Sequence, residues 1–235
     1  MNTVNIEYFF SFSATETDVN LSLELDSKSL EISNPPSNNL PEWTLLKNHQ
    51  CPNCPLDSSI TYCPLAVNLL SITESFEPYV SFDNVSMKVV TNERTVLKET
   101  TLQRAISSLM GLIVAVSGCP NSQFFRPMAN FHLPFSSEEE TIYRATSMYL
   151  LAQYFVSKSG PAMDCSFKGL TDIYKEMQIV NASIAKRLRD ASKTDSGVNA
   201  LVSLDLYAKA MPFVIDEKLE ELEYMFATYL KASEK

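Results

Sequence analysis

Apolar and polar residues alternate along the first third of the chain. In NIEYFFSF, Ile6, Tyr8, Phe10 and Phe12 fall on one face. In VNLSLELD, Val19, Leu21, Leu23 and Leu25 share a face, with Asn20, Ser22 and Glu24 opposite. A period of two predicts half-buried antiparallel strands. SLEIS (29–33) reads as a third short strand, and NPPSNNLP (34–41) breaks the pattern as a linker. Beyond a cysteine-rich connector, PLAVNLLSITESF (64–76) reads as a short helix. Pro64 stands at its first position, where the missing N–H costs nothing, and Cys63 is its N-cap. NVSMKVV (84–90) and RTVLKE (94–99) predict a hairpin around TNE.

From residue 100 the period changes to 3.6. TTLQRAISSLMGLIVAVSG opens on a Thr cap and closes on Gly118, suited to the left-handed residue that ends a helix. Its apolarity predicts a central, mostly buried helix. FSSEEETIYRATSMYLLAQYFVSK carries an S-x-x-E capping box, with acidic residues facing the helix dipole. Further helices are expected over 170–192, 195–211 and 216–230, with a non-helical link over 120–135. The expected fold class is α+β: a small N-terminal antiparallel sheet, a cysteine-rich connector at 49–64 and a C-terminal helical bundle. Residues 1–99 form the β-rich part and 100–235 the bundle. One continuous core is expected, because a small sheet must bury its apolar face against something.

Composition narrows the function. With 19 basic and 28 acidic residues the net charge is −9, and the pI is about 4.8. A phosphate backbone is bound by neutralising it with Lys and Arg, so a dedicated nucleic-acid binder is not expected. Adhesion to an anionic membrane is not expected either. The most basic run, KRLRDASK (186–193), carries an Asp in an amphipathic helical pattern and reads as a solvated helix end. The opening residues, MNTVNIEYFF, show no signal-peptide pattern, and the longest apolar run, LMGLIVAV, is too short to span a bilayer. A cytoplasmic protein with reduced thiols is therefore expected, where clustered cysteines more often mean metal than disulfide.

Four of the five cysteines, Cys51, Cys54, Cys63 and Cys119, precede proline; Cys165 does not and reads as structural or surface. Proline removes an N–H and biases the preceding residue toward extended backbone, which stiffens the loop presenting the sulfur. The spacing is C-x2-C-x8-C-x55-C. A C-x2-C turn lets two sulfurs converge on one ion, and two more ligands complete a tetrahedron. Two closures are open: Cys51, Cys54, Cys63 and Cys119, or a local set in which His49 replaces Cys119. Zinc is the leading cofactor and a [4Fe–4S] cluster the alternative. A haem held through a Cys-Pro thiolate is a third option, and thiols that only pack in a core are a fourth.

HQCPNCPL, YCPLA, TTLQRAISSLMGL and FHLPFSSEEETIYRATSMYLLAQYF resemble segments of an uncharacterised family of bacterial proteins, a domain of unknown function. The resemblance runs over most of the chain from Trp43 onward. It implies a bacterial, stand-alone cytosolic protein and supplies no activity.

FFRPMANFHLPF (124–135) sets Arg126 and His132 among four phenylalanines. It reads either as a pocket-lining loop or as a link plugged into the core by its aromatics, with His132 hydrogen-bonded in place. Glu138, Glu139 and Glu140 are explained by the helix dipole. Arg104 and Arg144 lie in otherwise apolar helices; where buried, each would need an acidic partner. No nucleophile elbow, P-loop or H-E-x-x-H motif occurs. The leading expectation is a protein that binds an unknown protein partner, with a Cys-Pro thiolate site in a structural or regulatory role. One alternative is an iron–sulfur or metal-dependent enzyme with 120–135 lining a pocket. The other is a metal-free helical interaction module, and the aromatic C-terminal EYMFATYL offers a surface for a homodimer.

Overall fold

In a computed structural model of the chain, residues 3–12, 17–191, 196–217 and 219–233 are described. Two strands open the fold, β1 (Thr3–Phe12) and β2 (Thr17–Asp26), paired antiparallel with Ile6 opposite Leu23, Tyr8 opposite Leu21 and Phe10 opposite Val19. The predicted apolar faces therefore meet across the pair, where side chains opposite one another interact most strongly. The expected third strand at 29–33 is not one. Asp26 accepts backbone N–H bonds from Lys28 and Ser29 on its side chain, which turns the chain, and only an isolated Leu25–Ile32 bridge remains.

A 3-10 turn (Glu42–Thr44) precedes the connector. The helix expected over 64–76 is split into α1 (Pro64–Asn68) and α2 (Leu70–Ser75). Asn68 donates from its side chain to the carbonyls of Pro64 and Ser117, and such local bonds compete with a regular helix. The hairpin follows as β3 (Asn84–Val90) and β4 (Thr95–Thr101). β3 pairs with β1, completing a four-stranded antiparallel sheet in the order β2-β1-β3-β4.

α3 (Leu102–Val116) runs straight out of β4 and is buried on eleven of its fifteen residues, as befits a helix apolar on nearly every side. Thr101 holds the N-cap position without using its side chain; the carbonyls of Asp83 and Ser81 take the N–H groups of Leu102 and Gln103 instead. Gly118 has the expected positive φ, +81°. The segment expected to be non-helical is partly helical: a 3-10 turn (Gln123–Phe125) leads into α4 (Arg126–Asn130), where Pro127 sits in the first turn and suits it.

α5 (Glu138–Ser157) has the full capping box, with Ser137 and Glu140 each bonding the other's backbone N–H. α6 (Lys168–Ala191) and α7 (Ser196–Glu217) follow. α7 continues through Pro212, where a break was expected. An interior proline costs about 3 kcal/mol, but the buried Met211, Val214 and Ile215 each return roughly 1.5–3 kcal/mol. The last predicted helix is instead a 3-10 stretch (Leu219–Phe226) and a short α8 (Ala227–Ser233). One apolar cluster joins the sheet, the connector, α3 and α6; a smaller one joins α5, α6 and α7. No helix among the described residues is long and apolar enough to cross a membrane.

Candidate functional site

The four Cys-Pro cysteines come from three separate places in the chain and all lie in or against the larger core. Cys63 is buried there, and Cys51, Cys54 and Cys119 pack against it half-buried. Each has a local reason to be where it is. Cys54 N–H donates to the Cys51 carbonyl at 2.9 Å, closing the C-x2-C turn. Cys63 stands at the N-cap of α1, its own N–H donating to Thr44 O at 2.8 Å. A Cβ added at Gly118 would lie 3.8 Å from Pro64 Cβ, so the backbone before Cys119 lies against the residue after Cys63.

The thiols act on one another. Burial pushes the Cys51 thiol up to about 11, and charge on Cys63, Cys119 or Cys54 would push it further; a hydrogen bond with Ser183 opposes the shift. Burial also raises Cys119, and Cys63 adds to the effect, while backbone N–H groups of Asn121 and Ser122 favour its thiolate. Among the described residues, however, no three His, Cys, Asp or Glu side chains stand close enough to hold a metal ion. A tetrahedral zinc at about 2.3 Å from each sulfur would need sulfurs about 3.8 Å apart. The four cysteines are free thiols that do not form such a group among the described residues.

His49, the alternative fourth ligand, is engaged elsewhere: its Nε2 lies 2.9 Å from Asp190 Oδ2 on an exposed stretch of α6. Cys165 is exposed and apart from the set.

The connector is bolted to α6 and to the turn after α3. Asn53 donates to the Glu176 carbonyl (3.1 Å) and carboxylate (2.6 Å), and Asn121 donates to Asn53 O at 3.2 Å. The strongest bolt is Arg187. The run containing it was expected to be a solvated helix end, yet Arg187 is 1% exposed. Its two terminal nitrogens donate to the carbonyls of Trp43, Leu45 and Leu46 at 2.6–2.8 Å. The helix face toward the core carries it, and the carbonyls of an irregular segment satisfy it; neither is visible in a charge count. Ser192 and Lys193, the end of that run, lie outside the described residues.

A second feature lies on the other face of α3. A cavity of about 780 Å³ is lined by α3, the 125–136 segment, α5, α6 and α7. His132 lines it and Arg126 does not; Arg126 pairs with Glu31. His132 Nε2 is hydrogen-bonded to the hydroxyl of Tyr8, a residue of the buried face of β1. Burial, and secondarily the charge of Arg144, hold His132 down at about 4, so the ring is neutral at pH 7. The segment is thus both a cavity wall and a core plug, since Phe125 and Phe135 pack into the core while Phe124 and Phe131 are exposed.

Among the described residues, Arg144 has no acidic ion-pair partner of the kind expected. Its guanidinium donates to Ser136 Oγ (3.1 Å) and to the carbonyls of Met128 (2.8 Å) and Phe131 (3.0 Å). Arg104 is exposed at the cavity lining. Sequence reasoning missed this wall, although a signal existed: Arg104, Ser107, Ser108 and Gly111 recur at i, i+3, i+4 and i+7 along a helix otherwise apolar but for Gln103, and all four line the cavity.

The family model described as "Domain of unknown function (DUF6901)" matches residues 6–227, so the chain belongs to that family. No curated protein and no solved structure matches the chain.

Proposed function

We propose that this member of the DUF6901 family is a binding protein whose Cys51, Cys54, Cys63 and Cys119 form a thiolate metal centre. The centre's role is structural or regulatory: it pins the connector to the helical part and so fixes the surface offered to a protein partner. The observation that carries the reading is that four cysteines sharing one sequence context, up to 68 residues apart, all lie in or against the larger core, with Cys51 near enough to feel charge on the other three, while the fifth is exposed. Backbone N–H groups aimed at Cys119 are the kind of outer contact that stabilises a ligating thiolate. None of the four lines the large cavity, which favours a structural role over a catalytic one.

A [4Fe–4S] cluster is the second reading for the metal. Zinc, the simplest expectation, requires the sulfurs to draw together. The cluster is likewise held by four cysteine thiolates, and it is larger than one ion.

Elemental analysis with a visible spectrum, on protein purified without oxygen, tests both. About one zinc per chain without colour supports the zinc centre. About four irons per chain with broad visible absorption assigns the cluster and opens redox chemistry. Cys51→Ser and Cys54→Ser are each expected to release the metal and lower the melting temperature, since binding is coupled to folding. Metal-free protein, with unchanged melting in both variants, would leave a helical interaction module with packed thiols.

A further inference from the structure

We propose that the cavity beside α3 binds an amphipathic monocarboxylate, with its apolar body among Met128, Met177 and Met211 and its carboxylate on Arg144. The inference is independent of the thiolate centre, because none of the four cysteines lines the cavity.

Size and lining come first. A volume of about 780 Å³ falls among small-molecule sites, which run roughly 300–1,000 Å³ and are mostly apolar with a few placed polar groups. This one is walled by Leu112, Val114, Phe125, Leu133 and Val214 in addition to the three methionines. Methionine is flexible and polarisable, so it moulds to an apolar ligand without demanding one shape.

Charge then selects the ligand's sign. The whole chain carries −9, yet among the described residues the lining holds three cations, Lys98, Arg104 and Arg144, against one carboxylate, Glu138. Lys98 and Arg104 are exposed and form a rim that attracts an anion. Arg144 is the inner cation. It is half-buried and desolvated, and among the described residues it makes no ion pair, although the charge of Glu140 acts on it. Among the described residues its bonds all go to neutral oxygens and use three of the five N–H groups of a guanidinium, so two remain for a ligand. A desolvated guanidinium without an anion is costly, and a bound carboxylate relieves that cost.

The number of negative charges follows from the neighbours. His132, beside Arg144, is kept neutral by burial, so the inner end presents a single positive charge. No cluster of glycines supplies the backbone N–H cradle that phosphates favour, since the chain has only five glycines and Gly111 alone lines the cavity. One charge on an apolar body is the match.

Calorimetric titration of the full chain with decanoate, decanol, decyltrimethylammonium and decyl phosphate tests this. Methyl NMR of isotopically labelled methionine locates the ligand. Decanoate is expected to bind about tenfold or more tightly than decanol, and the ammonium weakest. Methyl signals of Met128, Met177 and Met211 should shift, and those of core Met87 and exposed Met163 should not. Arg144→Gln should erase the preference for decanoate over decanol. Arg144 also holds the carbonyls of its own wall, so that variant could fail to fold. The paired rim change Lys98→Gln with Arg104→Gln is then expected to weaken decanoate severalfold while decanol is unmoved. Equal affinity for decanoate and decanol, no saturable binding, or shifts confined to Met163 would overturn the proposal. Tighter binding of decyl phosphate than of decanoate would overturn the carboxylate assignment.

Discussion

Single atoms decide several positions in this protein. Gly169, in the first turn of α6, is the sharpest case. Alanine normally favours a helix over glycine by up to about 1 kcal/mol. Here an added Cβ would stand 2.2 Å from Tyr149 Oη and 3.2 Å from Cζ. Making room moves a buried ring and breaks the Tyr149–Asp164 hydrogen bond of 2.7 Å. The clash wins, and Gly169→Ala is expected to cost roughly 1–3 kcal/mol in urea unfolding. Most of that loss should vanish in a Tyr149→Phe background, because the closest atom is gone. His132 gives a second residue-scale prediction. Its pKa is about 4 in the folded protein against an ordinary 6.5, so the native state favours the neutral ring. The stability this provides is complete above pH 6.5 and is lost as pH falls toward 4, by about 1–3 kcal/mol. Unfolding free energies at pH 7, 5.5 and 4.5 should fall more steeply for wild type than for His132→Gln. Aspartates held low, such as Asp26 and Asp164, titrate alike in both proteins and cancel.

At the scale of elements, the connector is the part that secondary structure does not hold. Residues 46–62 contain no helix or strand, and their order comes from bolts on α6 and on the turn after α3. Arg187 is the chief of these, satisfying three carbonyls at once. A lysine offers one nitrogen on a flexible stem and does not reproduce a planar fork. Arg187→Lys is therefore expected to lose about 2–4 kcal/mol. Hydrogen exchange should rise across residues 43–63 more than across β1 or β3. Uniform exchange in the variant would mean that the connector is held by other contacts. The same reasoning explains α7, whose buried face carries the helix through Pro212 against local propensity.

For the molecule as a whole, packing of the connector against the main core predicts the chemistry of the thiols. Cys165 is exposed, while the other four lie in or against the core, with Cys51 and Cys119 raised by burial. A disulfide-exchange reagent at pH 7.5 is expected to label one cysteine quickly and four slowly in native, metal-free protein, with all five reacting in denaturant. Fast reaction of Cys51 or Cys54 would show that the connector opens readily.

Period and punctuation in the chain determine most of the local structure. The faces of β1 and β2, the β3–β4 hairpin, the central α3, its end at Gly118 and the capping box at Ser137 all follow from near neighbours, which sequence spells out directly. The Cys-Pro context likewise singles out four cysteines, and all four lie in or against the larger core. Only the tertiary structure decides how closely their sulfurs approach, because that distance depends on bolts 68 to 144 residues away, such as Asn121 on Asn53 and Arg187 on Trp43. It alone turns Arg187 from a surface charge into a buried clamp, and sets Arg144 on the neutral oxygens of Ser136, Met128 and Phe131. It also brings His132 to Tyr8 across 124 residues at the cavity wall. Such pairings join residues with no local reason to meet; the packing of α3 and α6 against the sheet brings them together.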